Sequence, residues 1–268
     1  MTVPMPQSRP AQIWKLSRLS VRLHPKGKFD RPGTLRLAAS PSDSPSPNPD
    51  RLPAGRHGLS PEFVADHQRA RIVDAVAGVI AEGGYKAATV EHVITRAGVS
   101  RRTFYDHFSD RDVAFVAAYE AASARLLEAV RSAPPPASDD FIAGVRCVLE
   151  TLVDFLLAEQ ALALLIIVEV MASGVEGTAR RAQTLGEFIR MLERFAAAKL
   201  PDTDQGFDTS LIGETVVGGI NEVIATRIRD GQIDVLPELL PELLYSAVVS
   251  YVGFEEAEAA KQAMREGR

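Results

Sequence analysis

The stretch AGVSRRTFYDHF, residues 97–108, gathers a glycine, a serine, two adjacent arginines, three aromatics and a histidine into twelve positions. Those residue types suit recognition of a polyanion better than bond-making. An arginine fork can bond guanine O6 and N7 together, and Thr103 can touch a thymine methyl or donate to a phosphate. Tyr105 and His107 offer a hydroxyl and a ring N–H to phosphates. At helical spacing Phe104 and Phe108 lie one turn apart and form an apolar stripe, which Val99 can join. Opposite them lie Arg102 and Asp106, flanked by Arg101, Thr103 and Tyr105. Ser100 caps the start, where free N–H groups and the positive dipole end favour phosphate. Asp106 either accepts from a cytosine N4 or, better suited to a site near phosphates, holds Arg102 in place.

No other constellation competes. No nucleophile stands beside a base, no His/Cys/acid group has metal-ligand spacing, and no glycine-rich phosphate loop follows a strand. His24, His57, His67, His92 and His107 all fall in the N-terminal part. Neither a metal, a cofactor nor an enzyme activity is expected. The one cysteine, Cys147, sits in an apolar helical run and reads as a small buried core residue. It excludes an intrachain disulfide and fits a reducing compartment.

Helices must position the segment. From residue 66, Ile72, Val76 and Val79, joined by Val73 and Ile80, share one face at the 3.6-residue period, and Gly83-Gly84 supplies a stop. Thr89 caps a short second helix with Val90, Val93 and Ile94 inward, and Gly98 ends it. The second and third helices with their Ala-Gly-Val-Ser turn form a helix-turn-helix, whose latter helix enters the major groove. Ser109 and Asp112 form a capping box for a longer fourth helix. Beyond Pro134-Pro135-Pro136 the pattern predicts helices near 138–159, 160–173, 176–199, 208–230 and 236–263. The fold class is all-α: a three-helix DNA-binding domain over 61–112, then a helical bundle over 113–268.

In that bundle, ALALLIIVEVM (161–171) is apolar nearly all round and reads as a helix buried on every side. Its Glu169 is either a polar pocket group or a helix-end partner of an arginine. Phe188, Met191, Leu192 and Phe195 at helical spacing read as plain core. The small residues in VVGGI (216–220) and LYSAVVSYVGF (244–254) would let helix backbones approach closely.

The whole chain supports this division. Its 268 residues are 46% hydrophobic but only 6% aromatic, so a sizeable core must be mostly aliphatic. Residues 1–60 hold ten Lys/Arg against three Asp/Glu, whereas residues 112–268 hold thirteen against twenty-five. One end suits a polyanion and the other does not. The Pro/Ser-rich composition of 1–60 predicts a disordered basic extension. Within it IWKLSRLSVRLH (13–24) is an arm on DNA, a bystander, or translation from a start codon placed too far upstream. Arg56 in AGRHGLS (54–60) either reaches the minor groove or belongs to a plain linker. The first thirty residues lack a continuous apolar stretch, and 161–171 is too short to span a bilayer. A cytoplasmic chain with no membrane partner is expected.

Over residues 66–119 the chain resembles the DNA-binding domain of TetR-type transcriptional regulators. The resemblance rests on the first helix ending in Gly-Tyr, the Thr-Val opening of the second, AGVSxxTFYxHF, and the basic Arg111 after the last Phe. It implies an all-helical homodimer in which the helical bundle over 113–268 is the ligand-binding and dimerisation domain, with double-stranded operator DNA and an unidentified small molecule as partners. Carried over by position, Thr89, Tyr105, His107 and Arg111 meet phosphate, where Arg111 replaces a frequent Lys. Ser100, Arg101, Arg102 and Thr103 lead into the groove. A ligand-responsive repressor is the leading expectation. A DNA-binding adaptor with a protein partner, and a helical enzyme, are the alternatives.

Overall fold

The computed structural model describes residues 60–134, 140–199 and 209–267, all within one compact unit, residues 51–268. The basic extension and Arg56 lie outside the described residues. Within them every regular element is helical and no strand occurs, as the periodicity predicted.

Helix α1 (Pro61–Ala87) starts earlier than residue 66 because Ser60 caps it, accepting from the Phe63 N–H at 3.1 Å. Pro61 fits the first position, where its missing N–H costs nothing. Ile72, Val73, Val76, Val79 and Ile80 are all buried. Gly84, at φ 72° and ψ 172°, breaks the helix, and a last turn carries Tyr85 to Ala87. Helix α2 (Val90–Ala97) is capped by Thr89, whose hydroxyl oxygen accepts from the His92 N–H at 3.2 Å. Gly98 ends it in the left-handed region, at φ 61° and ψ 39°. Helix α3 (Arg101–His107) is capped by Ser100, which accepts from the Thr103 N–H at 3.0 Å.

Helix α4 (Arg111–Ser132) does not use the expected capping box. Asp110 is the cap, accepting from the Val113 N–H at 2.8 Å, while Ser109 donates to its other oxygen. Asp110 adjoins the helix in extended conformation, and the Asp112 carboxylate is drawn instead to the Tyr85 hydroxyl.

The second half contains α5 (Phe141–Ala158), α6 (Gln160–Ala163), α7 (Gly174–Lys199), α8 (Thr209–Arg229), α9 (Leu236–Val252) and α10 (Phe254–Glu266). Two expectations need correction. The segment expected as one helix over 160–173 widens after α6 into a π turn, Leu164–Val168, and tightens into a 3-10 turn, Glu169–Ala172. It is not buried on every side, since Met171 is 58% exposed. The helix expected over 236–263 is two, broken by Gly253 at φ 83°. Residues Ile233–Val252 are long and apolar enough to cross a bilayer. In the fold, Leu236, Leu240, Leu243, Leu244, Ala247 and Val248 bury that apolar surface in the core. Cys147 is half-buried rather than buried, with its thiol 3.5 Å from the Pro134 carbonyl.

One continuous apolar cluster joins α1–α4 to the later helices. Phe104 lies in it with 0% exposure. Replacing Phe104 by Ala is expected to cost about 3–5 kcal/mol of stability. Denaturant unfolding checks this as a lower midpoint at unchanged slope, and a loss below about 1 kcal/mol would show that α3 is not held by this ring.

Candidate nucleic-acid interface and interior cavity

Seven residues are too few to form a stable helix in water, so α3 depends on what grips it. Phe104 and Phe108 are buried with ring centroids 5.8 Å apart, and the Arg69 guanidinium sits 5.2 Å over the Phe108 ring. The Tyr105 ring meets Phe104 edge-on at 5.4 Å. Arg71 on α1 donates to the carbonyls of Ala97 and Gly98, fixing the turn between α2 and α3 from behind. A Cβ on Gly98 would stand 2.8 Å from the Arg71 Nη2 and would strain a left-handed backbone.

The outward surface collects most of the expected residues. Thr89, Ser100, Arg101, Arg102, Tyr105 and Asp106 are exposed, and Thr103 and His107 are half-buried. Arg101 is paired with Glu91 on α2 at 3.1 Å, and the hydroxyls of Ser100 and Thr103 are 2.9 Å apart. Among the described residues Arg102 has no hydrogen-bonding or ionic partner, so Asp106 does not hold it. Its five N–H donors face solvent uncommitted.

Arg111 stands in a different setting. Its guanidinium lies 4.5 Å over the Tyr85 ring, donates to the Ala88 carbonyl at 3.0 Å, and pairs with Asp112 at 3.0 Å. Tyr85 also donates to Asp112 at 2.8 Å. Burial first, and then this bond to a carboxylate, push the Tyr85 hydroxyl above its ordinary pKa. The group locks the start of α4 to the end of α1.

Tyr85 has a second partner. The break at Gly84 leaves the Tyr85 N–H without a helical acceptor, and Glu169 accepts from it at 2.8 Å. Glu169 is therefore neither a pocket group nor the partner of an arginine. It ties the irregular segment after α6 to the joint between α1 and α2. A Cβ on Gly84 would lie 3.3 Å from this carboxylate, at a positive φ.

Within the bundle, α4, α5, α7, α8 and the π turn line a half-open cavity, about 850 Å³ with the solvent space at its mouth included. Phe188, Met191, Leu192 and Phe195, expected as plain core, are part of its wall. The wall is almost wholly apolar. Tyr119 donates to Thr184 at 3.0 Å, and Thr184 donates to the Arg180 carbonyl at 3.2 Å, so both hydroxyl protons are committed. Arg181 and Asn221 also line the cavity, and among the described residues no acidic side chain does. Sequence patterning passed over Arg181 and Asn221 because each is one of several polar residues in an amphipathic helix. Among the described residues no group of three or more His, Cys, Asp or Glu could hold a metal ion.

Residues 72–118 match the family described as bacterial regulatory proteins, tetR family. A curated relative, the HTH-type transcriptional activator FasR of Mycolicibacterium smegmatis, is 28% identical over 107 residues. That match covers 40% of this chain and 48% of the relative, so about half of the relative's length is matched. Among solved structures, the transcriptional regulator FadR from Bacillus subtilis in complex with stearoyl-CoA superposes with a TM-score of 0.56 and 21% identity. It covers 69% of this chain and 99% of that one. A TetR-like transcriptional regulator from Rhodococcus sp. RHA1 gives 0.55 at 18% identity, over 76% of this chain and 100% of that one. At such identities the shared property is the fold.

The Glu169 bond can be tested directly. Glu169→Ala leaves a part-buried N–H unpaired and is expected to cost about 1–3 kcal/mol, whereas Glu169→Gln keeps an acceptor and costs less. Equal melting temperatures for the two variants would show that the bond contributes nothing.

Proposed function

We propose that the chain, whose residues 72–118 match the family described as bacterial regulatory proteins, tetR family, is a sequence-specific, DNA-binding transcriptional regulator, homodimeric and responsive to a small-molecule ligand. The observation that carries this reading is a buried-backed α3 whose Arg102 faces solvent with no partner of its own. The DNA-reading domain runs over 61–112 and the ligand and dimer domain over 113–268. Arg102 reads base edges, with Arg101 and Thr103 beside it at the groove. Thr89, Ser100, Tyr105 and His107 bond phosphates. Arg111 adds its charge to that surface while its donors stay on the α1–α4 joint.

Dimerisation is supported by the outer face of α8. Leu211 is 60% exposed, Val223 is 38% exposed, and a Cβ on Gly218 or Gly219 would meet nothing within 4 Å. A second copy can approach such a face closely about a two-fold axis. The two α3 helices then need a separation of about 34–36 Å, or a multiple, to meet half-sites on one face of the duplex.

The effector reading rests on the cavity and on the Bacillus subtilis relative solved with stearoyl-CoA. An acyl chain suits an apolar cavity of this kind. The ligand alters DNA affinity only through unequal affinity for the DNA-fitting and non-fitting shapes. If it favours the latter, the output is repression lifted by ligand. FasR is named an activator, which favours a second reading with the same contacts and the opposite output. A promoter–reporter fusion with and without the regulator separates the two by the sign of the change.

Genome-wide mapping of the DNA bound by the chain would supply the operator. On it, Arg102→Ala is expected to weaken binding by about 1–3 kcal/mol, with far less effect on random DNA. Tyr105→Phe should weaken both alike. Fluorescence anisotropy across a salt series checks this, and two variants that bind the operator as tightly as wild type would remove α3 from the interface.

A further inference from the structure

Two of the cavity's polar side chains carry buried donors that, among the described residues, have nothing to donate to. Asn221, on α8, is only 7% exposed, and its Nδ2 is buried with no partner. Arg181, on α7, is half-buried, and its Nε is likewise buried and unpartnered. Its neighbour Arg180 is paired with Glu120 at 3.0 Å and Glu176 at 2.9 Å, but Arg181 has no carboxylate among the described residues. Leaving a buried donor unbonded costs about 1–3 kcal/mol, and more where the group is charged. Two such groups on one apolar wall mark a place built to be completed by something else.

The charge balance narrows what that is. Among the described residues the cavity wall carries one guanidinium and no acid. A ligand bearing only an ammonium would meet like charge at Arg181 and would leave the Arg181 Nε and the Asn221 Nδ2 unbonded. A ligand bearing an oxygen acceptor satisfies them. The rest of the wall, including Leu149, Leu152, Ile166 and Phe188, demands a long hydrocarbon portion. We propose that the cavity takes an anionic amphiphile of the fatty-acyl class, whose oxygen acceptors are bound by Arg181 and Asn221 while its chain lies on the apolar wall. This rests on the reading of the cavity as the effector site, and it adds the residues that set the ligand's polarity and charge. A free carboxylate and an acyl thioester share this acceptor chemistry, and the test distinguishes them.

The test is titration calorimetry of the full chain with palmitate, palmitoyl-CoA and hexadecylamine. Palmitate or palmitoyl-CoA should bind at least tenfold more tightly than hexadecylamine, and the tighter of the two identifies the source of the acceptor. Arg181→Gln and Asn221→Leu should each weaken that ligand by about tenfold to a hundredfold. Arg181→Lys, which keeps the charge, should retain most of the affinity. Arg181 is part-exposed, so its variants are expected to fold, and a melting curve of each confirms it. If wild type binds an acyl ligand and both variants bind it equally well, the two residues are not its anchors, though the effector cavity stands. If wild type prefers hexadecylamine, the acceptor assignment is wrong. If it takes none of the three, both the assignment and the effector cavity fall.

Discussion

A two-turn helix cannot offset its own nucleation cost, and that constraint organises the N-terminal half. Helix α3 exists as a helix because Phe104 and Phe108 drive one side of it into a core that α1 and α4 already share. Every polar feature of its outer face depends on that burial. Ser100 and Gly98 set where the helix begins, and Arg71 holds the turn, but these fix direction rather than supply the bulk of the stabilisation. The core that anchors α3 also extends into the bundle, so the outer face of α3 and the cavity belong to one packed body.

The joint between α1 and α2 concentrates the polar links in that body. Tyr85 offers three different handles there. Its ring carries the Arg111 guanidinium, its hydroxyl meets Asp112, and its N–H meets Glu169. The first two reach the start of α4 and the third reaches the segment after α6. A shift of either element must therefore strain a bond to the residue that leads into α2. Arg111 illustrates how a charge expected at a binding surface can instead be committed to internal architecture.

Much of this was legible in the sequence because it is local. Caps three residues apart, a glycine at a helix end and two phenylalanines one turn apart all act within a few positions, and Thr89, Gly98 and Ser100 serve as expected. The fourth helix shows the limit of such patterns. Ser109, Asp110 and Asp112 all have the chemistry of a cap, and Tyr85, twenty-seven residues before Asp112, decides which one is used. Glu169 was ambiguous for the same reason, since its partner is eighty-four positions away. Phe188 and Phe195 have the spacing of core residues whether the space beside them is filled or open. Helix periodicity reports which face turns inward, not how completely the interior is packed.

The widened turn Leu164–Val168 has a geometric effect on the residues downstream of it. Accommodating one additional residue in a turn shifts the angular phase of every later side chain by about 100° relative to an unbroken helix. Glu169 is the first residue past that phase shift. Closing the bulge by a single deletion would preserve the segment's composition and hydrophobicity almost unchanged, yet would swing the carboxylate away by more than a quarter turn. Length, at this point in the chain, is as much a determinant of the wiring as residue identity.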